Sequence, residues 1–214
     1  MQAPQDTKPR WERRKDARPQ ELLAAALEQF VERGYAATRL EDVAKRAGVS
    51  KGTLYLYFTN KEELFKAVVR ENIVQAIGEA EQDAAVFEGH SGELLRTILM
   101  AWWDEICTTH LAGITKLMLS EGQNFPELAK FYNEEVVKRG SDLITSVLVR
   151  GIGRGEFRPV DPAVMTPVLI APVMMLMMWT NSFMPACEMP AIDPHAFMDT
   201  FIGTTLGGLE VAAP

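Results

Sequence analysis

The densest chemistry in this 214-residue sequence lies in the run Ser50-Lys51-Gly52-Thr53. It sets a hydroxyl, an ammonium, a position without a side chain and a second hydroxyl in succession, followed by the phenols of Tyr55 and Tyr57 and the ammonium of Lys61. Small and polar groups at the start of a short helix let its backbone come close to a DNA duplex. The free amides there face phosphates. Gly52 costs about 1 kcal/mol of helix stability relative to alanine, so close approach, and not burial, accounts for it. The chemistry these residues offer is hydrogen bonding and charge pairing with a polyanion.

Other chemistries find little support. The two cysteines, Cys107 and Cys187, form no CxxC pair, and His90, His110 and His195 are scattered, so neither a disulfide scaffold nor a metal site is indicated. Cys107 reads either as a redox sensor or as a buried, inert thiol. Residues 90–214 carry no nucleophile elbow, phosphate-binding glycine loop or paired-carboxylate signature. No catalytic residue or cofactor is therefore expected, and an enzyme with an appended DNA-binding head ranks behind a regulator. A DNA-organising protein without a ligand is the other rival. The polar N-terminus, with no apolar run behind its basic residues, argues against a secretory signal and for the cytoplasm.

The elements that must position these groups read as helices throughout. Apolar pairs at Leu22/Leu23, Ala26/Leu27 and Phe30/Val31 predict a first helix from Pro19, with Gly34 after its end. Thr38 and Glu41 have capping-box spacing for a second helix. Gly48 breaks that helix, Val49 turns inward, and Ser50 caps a third running to Phe58. Asn60 and Glu63 launch a fourth toward Ala85. Two short helices joined by a glycine-containing turn make a helix-turn-helix. Beyond Gly89 the sequence predicts helices at about 91–109, 111–121, 126–152, 162–183 and 194–208, with Asp161-Pro162 starting one of them.

The expected fold class is all-α: an arm at 1–16, a helix-turn-helix DNA-binding domain at 17–65 and a helical bundle at 66–214 for ligand binding and dimerisation. Charge follows that division. Residues 1–70 hold 14 Lys+Arg against 10 Asp+Glu, and the remainder 8 against 19, so the chain's net −7 conceals a positive N-terminal part. The basic run from Lys8 to Arg18 reads as a solvated tail or as an arm entering the minor groove.

The ungapped stretch from Thr38 to Phe65 resembles the TetR family of bacterial repressors, matching at Thr38, Asp42, Ala44, Ala47 to Ser50, Gly52 to Tyr55, Phe58, Lys61, Glu62 and Leu64. The resemblance implies that Thr38, Tyr55, Tyr57 and Lys61 hold phosphates, while Lys51, Gly52 and Thr53 lie near base edges. Tyr57 stands where many members have His, and Leu56 replaces a frequent aromatic. Packing remains the alternative for Tyr55 and Tyr57, and a solvated first-turn charge for Lys61. The segments Ser120–Leu128 and Gly155–Pro162 look like the efflux-regulator branch, which implies a hydrophobic or aromatic effector.

Trp102, Trp103, Phe125, Met174, Met175, Met177, Met178 and Trp179 are candidates to line the effector pocket, with ordinary core or dimer packing as the alternative. Residues 163–187 carry no charge, but Pro167, Pro172, Pro185 and several polar residues make a poor membrane span. A helix apolar all round is buried, here on one side by its own core and on the other by a partner. The resemblance implies a homodimer through 162–183 and 194–208, placing two recognition helices on a palindromic operator. Effector binding would move the fourth helix and so release the operator, with activation as the alternative outcome.

Overall fold

The computed structural model describes residues 10–187 and 192–211. Its helices are α1 (Arg10–Ala37), α2 (Leu40–Arg46), α3 (Lys51–Tyr55), α4 (Lys61–Val69), α5 (Gln75–Val86), α6 (Ser91–Trp102), α7 (Leu111–Glu121), α8 (Pro126–Tyr132), α9 (Lys138–Gly153), α10 (Pro162–Met178) and α11 (Pro194–Leu209). Among the described residues the β contacts amount to one isolated bridge, Phe157 to Glu210, so the fold is all-α as expected. The chain parts into two compact units between Val68 and Val69.

The first unit packs around Leu22, Ala26 and Phe30 of α1, Val43 and Ala44 of α2, Leu54 of α3, and Leu64 and Phe65 of α4, all buried. Phe30, Tyr35 and Phe65 form an aromatic cluster with ring centroids 5.2 to 5.7 Å apart. The periodic residues of the sequence are thus the core of this unit. Gly34 breaks the α1 path with φ 79° and Gly48 turns the chain from α2 toward α3 with φ 67°; both angles are left-handed, a region glycine enters without steric cost.

Three details depart from the sequence reading. Helical backbone begins at Arg10, so residues 10–16 of the expected arm are helical, while 1–9 lie outside the described residues. Arg, Glu and Lys dominate that stretch, and such residues propagate a helix without needing an apolar stripe. The Thr38 capping box does not form: α2 begins after Arg39, which caps by backbone conformation alone. The third helix ends at Tyr55, and the Tyr57 and Phe58 amides both reach back 3.0 Å to the Leu54 carbonyl. Other caps form as read. Ser50 Oγ accepts from the Thr53 amide at 3.1 Å and Asn60 Oδ1 from the Glu63 amide at 2.9 Å.

In the second unit α5 to α11 enclose a core that includes Trp103, Leu99, Leu148, Phe157, Val173 and Met198. Asp161 and Asp193 cap α10 and α11, each followed by a proline at the first helical position. The helices expected to run unbroken are interrupted by π-helical turns at Arg70–Val74, Trp103–Cys107, Asn133–Val137 and Trp179–Phe183. Such turns are a local widening of the helix that recurs at functional sites.

Candidate functional site

The first candidate surface is the exposed side of α3 and the turn that follows it. Ser50 and Thr53 join hydroxyls at 2.9 Å, which fixes the start of the helix. Lys51 is exposed and pairs with Glu41 of α2, with its ammonium 5.6 Å from the Tyr55 ring centroid. That pairing raises the Lys51 ammonium above its ordinary range and holds the Glu41 carboxyl below its own. Tyr55, Leu56 and Tyr57 are all exposed, Leu56 to 83%. Two phenols and an isobutyl group stand in solvent at the end of α3, where packing would have placed them inward.

Gly52 is exposed, and a Cβ there would meet nothing nearer than Ser50 Oγ at 3.8 Å, an ordinary contact. Its contacts within the described residues do not require a glycine, so its cost in helix propensity has no visible compensation there.

Two of the expected phosphate ligands are engaged inside the unit. Thr38 is 2% exposed, and its hydroxyl donates to the carbonyls of Gln29 at 3.0 Å and Gly34 at 2.7 Å. Lys61 Nζ donates to the carbonyls of Tyr35 (2.6 Å), Ala36 (3.1 Å) and Thr38 (3.1 Å) and lies 4.4 Å from the Tyr35 ring centroid. The last carbonyls of a helix lack intrahelical donors, and an ammonium with three donors satisfies them. Both side chains therefore close the α1 to α2 connection. Sequence reasoning missed Arg39 and Lys45, exposed cations of α2 and its cap that make no ion pair among the described residues, whereas Arg46 is held by Glu28 and Glu32. The signal was present in their charge but not in a motif.

The second candidate site is an apolar cavity of about 420 Å³ within the second unit. Its walls come from α5 (Ala76, Ile77, Ala80), α6 (Ile98, Ala101, Trp102), α7 (Met118, Leu119), α9 (Leu143, Ile144) and α10 (Ile170, Met174). Three of the π turns contribute Ile73, Glu105 with Ile106, and Asn133 with Val136 and Val137. The polar groups are few: Glu105, Asn133, Ser141 and a Thr115–Tyr132 hydroxyl pair 2.9 Å apart. Burial pushes the Tyr132 phenol up to about 12, so it stays neutral.

Of the expected pocket residues Trp102 and Met174 line the cavity. Trp103, 1% exposed, is core, and its Nε1 is buried without a hydrogen-bond partner. Met177 is also core, Met178 packs against that core, and Met175 is 56% exposed on the outer side of α10. Phe125 precedes α8 and Trp179 opens a π turn; neither lines the cavity. Large side chains were sought, yet space in a helical bundle opens where side chains are small, as at Ala76, Ala80, Ala101, Ala129 and Gly140. Cys107 is fully buried with its thiol raised to about 12 by desolvation, which makes it the inert alternative. The described residues hold no cluster of His, Cys, Asp and Glu suited to a metal.

A helix-turn-helix unit with an exposed, glycine-bearing third helix, followed by an all-helical unit, is the architecture of a DNA-binding regulator. Residues 22–68 match the profile of bacterial regulatory proteins of the tetR family, and 88–189 match a tetracyclin repressor-like C-terminal domain. The chain is 32% identical over 147 residues to the fatty acid metabolism regulator protein of Bacillus subtilis, covering 67% of this chain and 74% of that one. It is 30% identical over 145 residues to the transcriptional repressor KstR2 of Mycobacterium tuberculosis, covering 67% and 71%. Among solved structures, FadR from Bacillus subtilis in complex with stearoyl-CoA superimposes with a TM-score of 0.74 at 25% identity, over 88% of this chain and 98% of that one.

The protein belongs to the TetR family of DNA-binding transcriptional regulators. These relatives are regulators and not enzymes. The expected efflux-regulator branch is not supported, because regulators of lipid metabolism are nearer. One of the two segments that pointed to it, Gly155–Pro162, serves the fold: Phe157 packs against Gly151, and the Glu156 carboxylate accepts from the Ser91 amide at 2.9 Å. Such a structural turn carries no information about the effector.

Proposed function

We propose that this protein is a transcriptional repressor that binds a palindromic operator as a homodimer and is released when an acyl-type apolar effector enters the second-unit cavity. The observation that carries the reading is the cavity itself, about 420 Å³ with walls almost wholly aliphatic and aromatic, within the usual size range of small-molecule sites. The relatives named for fatty acid metabolism, and the one solved with stearoyl-CoA, support an acyl chain as its occupant. In this reading Lys51, Gly52 and Thr53 approach base edges, Tyr55, Tyr57, Arg39 and Lys45 meet phosphates, and Leu56 is placed for an apolar contact such as a thymine methyl.

Dimerisation through α10 and α11 is supported by the faces they leave open. Pro162–Phe183 is the one described helical stretch long and apolar enough to cross a membrane, with a mean hydropathy of 1.8, yet only 28% of its 18-residue apolar window is buried within the chain. Val164, Val168 and Met175 form a stripe on its outer side. Residues Gly203 and Gly207 of α11 are exposed at helical spacing, which permits close approach of a second helix. The coupling element is the π turn Arg70–Val74, where Ile73 touches the cavity and Arg70 pairs with Glu135 of another cavity-lining turn at 3.2 Å. A ligand that favours one arrangement of this turn by a few kcal/mol suffices to empty an operator.

Binding to a duplex selected by the protein from random sequence, followed by fluorescence anisotropy with added stearoyl-CoA, tests the reading. Release with saturation is the expected result. Retention of the duplex at every concentration, with no effect of other apolar compounds, would reject effector control.

A further inference from the structure

The charge on the cavity wall carries the reading further, and this inference rests on the cavity being the effector site. Among the residues lining it, Glu105 is the one acid, and no Lys or Arg is present. Its carboxylate makes no ion pair among the described residues. The cations of the surrounding elements are committed elsewhere: Lys116 Nζ donates to the Asn181 carbonyl at 2.6 Å, Arg139 pairs with Glu81, and Arg70 pairs with Glu135. Lys130 and Lys138 are exposed and do not line the cavity.

The remaining polar groups, the Thr115–Tyr132 pair, Asn133 and Ser141, are neutral hydrogen-bonding partners. A carboxylate whose chain lies in this space finds no cation on the lining and faces Glu105, itself exposed to solvent. The apolar walls offer an anion no compensating partner, and a like charge adds to the cost.

We infer that the cavity discriminates by head-group charge, accepting an apolar chain whose head is uncharged or cationic and rejecting the free carboxylate of a fatty acid, with Glu105 as the discriminating residue. An ester, thioester, alcohol or amine meets this requirement. A free fatty acid does not.

Calorimetric titration of the full chain, without DNA, with decanol, decylamine and decanoate at pH 7 separates these heads on one chain length. Decanol and decylammonium are expected to bind at least about fivefold more tightly than decanoate, the scale of one like-charge contact at about 4 Å in water, as suits an exposed carboxylate. In Glu105→Gln, a near-isosteric change at an exposed position, decanoate gains affinity, decylammonium loses it, and decanol is unchanged. Decanoate binding as tightly as decanol to the unaltered protein, or equal shifts of all three ligands in Glu105→Gln, would overturn the inference while leaving the cavity as an effector site. Absence of binding by all three would overturn both.

Discussion

The two units of this protein build their sites in opposite ways. The surface proposed to face DNA is assembled from residues close in sequence, Arg39 to Tyr57, and consists of what protrudes: an exposed ammonium, two phenols, Leu56 at 83% exposure and a glycine with open space around it. The cavity draws on residues from Ile73 to Met174 and consists of what is missing, the volume left by alanines and a glycine between larger neighbours. A protruding site is encoded by side chains that are present. A cavity is encoded by the sizes of side chains on helices that meet only after folding.

Within the second unit the same contrast between enclosed and protruding groups is sharpest in thiol reactivity. Burial pushes the Cys107 thiol up to about 12, which keeps it protonated at pH 8, whereas Cys187 is exposed. A disulfide reagent should titrate one thiol rapidly in the native protein and the second only on denaturation. Two fast thiols would show that the interior of the second unit opens readily.

Lys61→Ala comes next. It removes an ammonium that serves three backbone carbonyls, and a lost charged hydrogen-bond network costs about 2 kcal/mol. Thermal unfolding should register that loss. The salt dependence of DNA binding by the folded fraction should keep its slope, because no phosphate contact is removed; a slope reduced by about one would restore the phosphate role.

Gly52→Ala should separate stability from function. Helix propensity gains up to about 1 kcal/mol, and no clash arises within the chain, so the melting temperature holds or rises while DNA affinity falls by about tenfold, within the range of a lost base contact. Unchanged affinity would remove α3 from the duplex.

The smallest effect is expected at Glu41→Gln. Lys51 must leave Glu41 to reach DNA, and an exposed pair of this kind is worth at most about 1 kcal/mol. Affinity should therefore rise by a few-fold, measured at low salt. A fall would assign Glu41 a contact of its own.

Much of the first unit was legible in the sequence because its signals are local. Ser50 and Asn60 cap the helices they were read to cap, and Leu54 and Phe65 are buried as their spacing required. Thr38 and Lys61 take partners within the chain that the sequence did not reveal, for a shared reason. A hydroxyl or an ammonium near a helix start has the same sequence signature whether it meets a phosphate or a carbonyl of the same chain, and the carbonyls of Gln29 to Thr38 become partners only when α1 and α4 pack. The π turns left no periodic mark, since each inserts one residue into an otherwise helical pattern. In the second unit helix positions were readable, but the choice between Trp102 on the cavity and Trp103 in the core turns on a single step of helical phase beside a π turn.

The central claim, that occupancy of the cavity controls the DNA-binding surface, is tested most directly by filling the space with protein. Ala101 lines the cavity from α6, and Ala101→Phe should occupy part of it. Anisotropy of a selected duplex, titrated with stearoyl-CoA, should show the unaltered protein releasing DNA and Ala101→Phe binding the duplex with similar affinity while no longer responding. A variant that folds, binds DNA and still releases it at the same effector concentration would contradict the account.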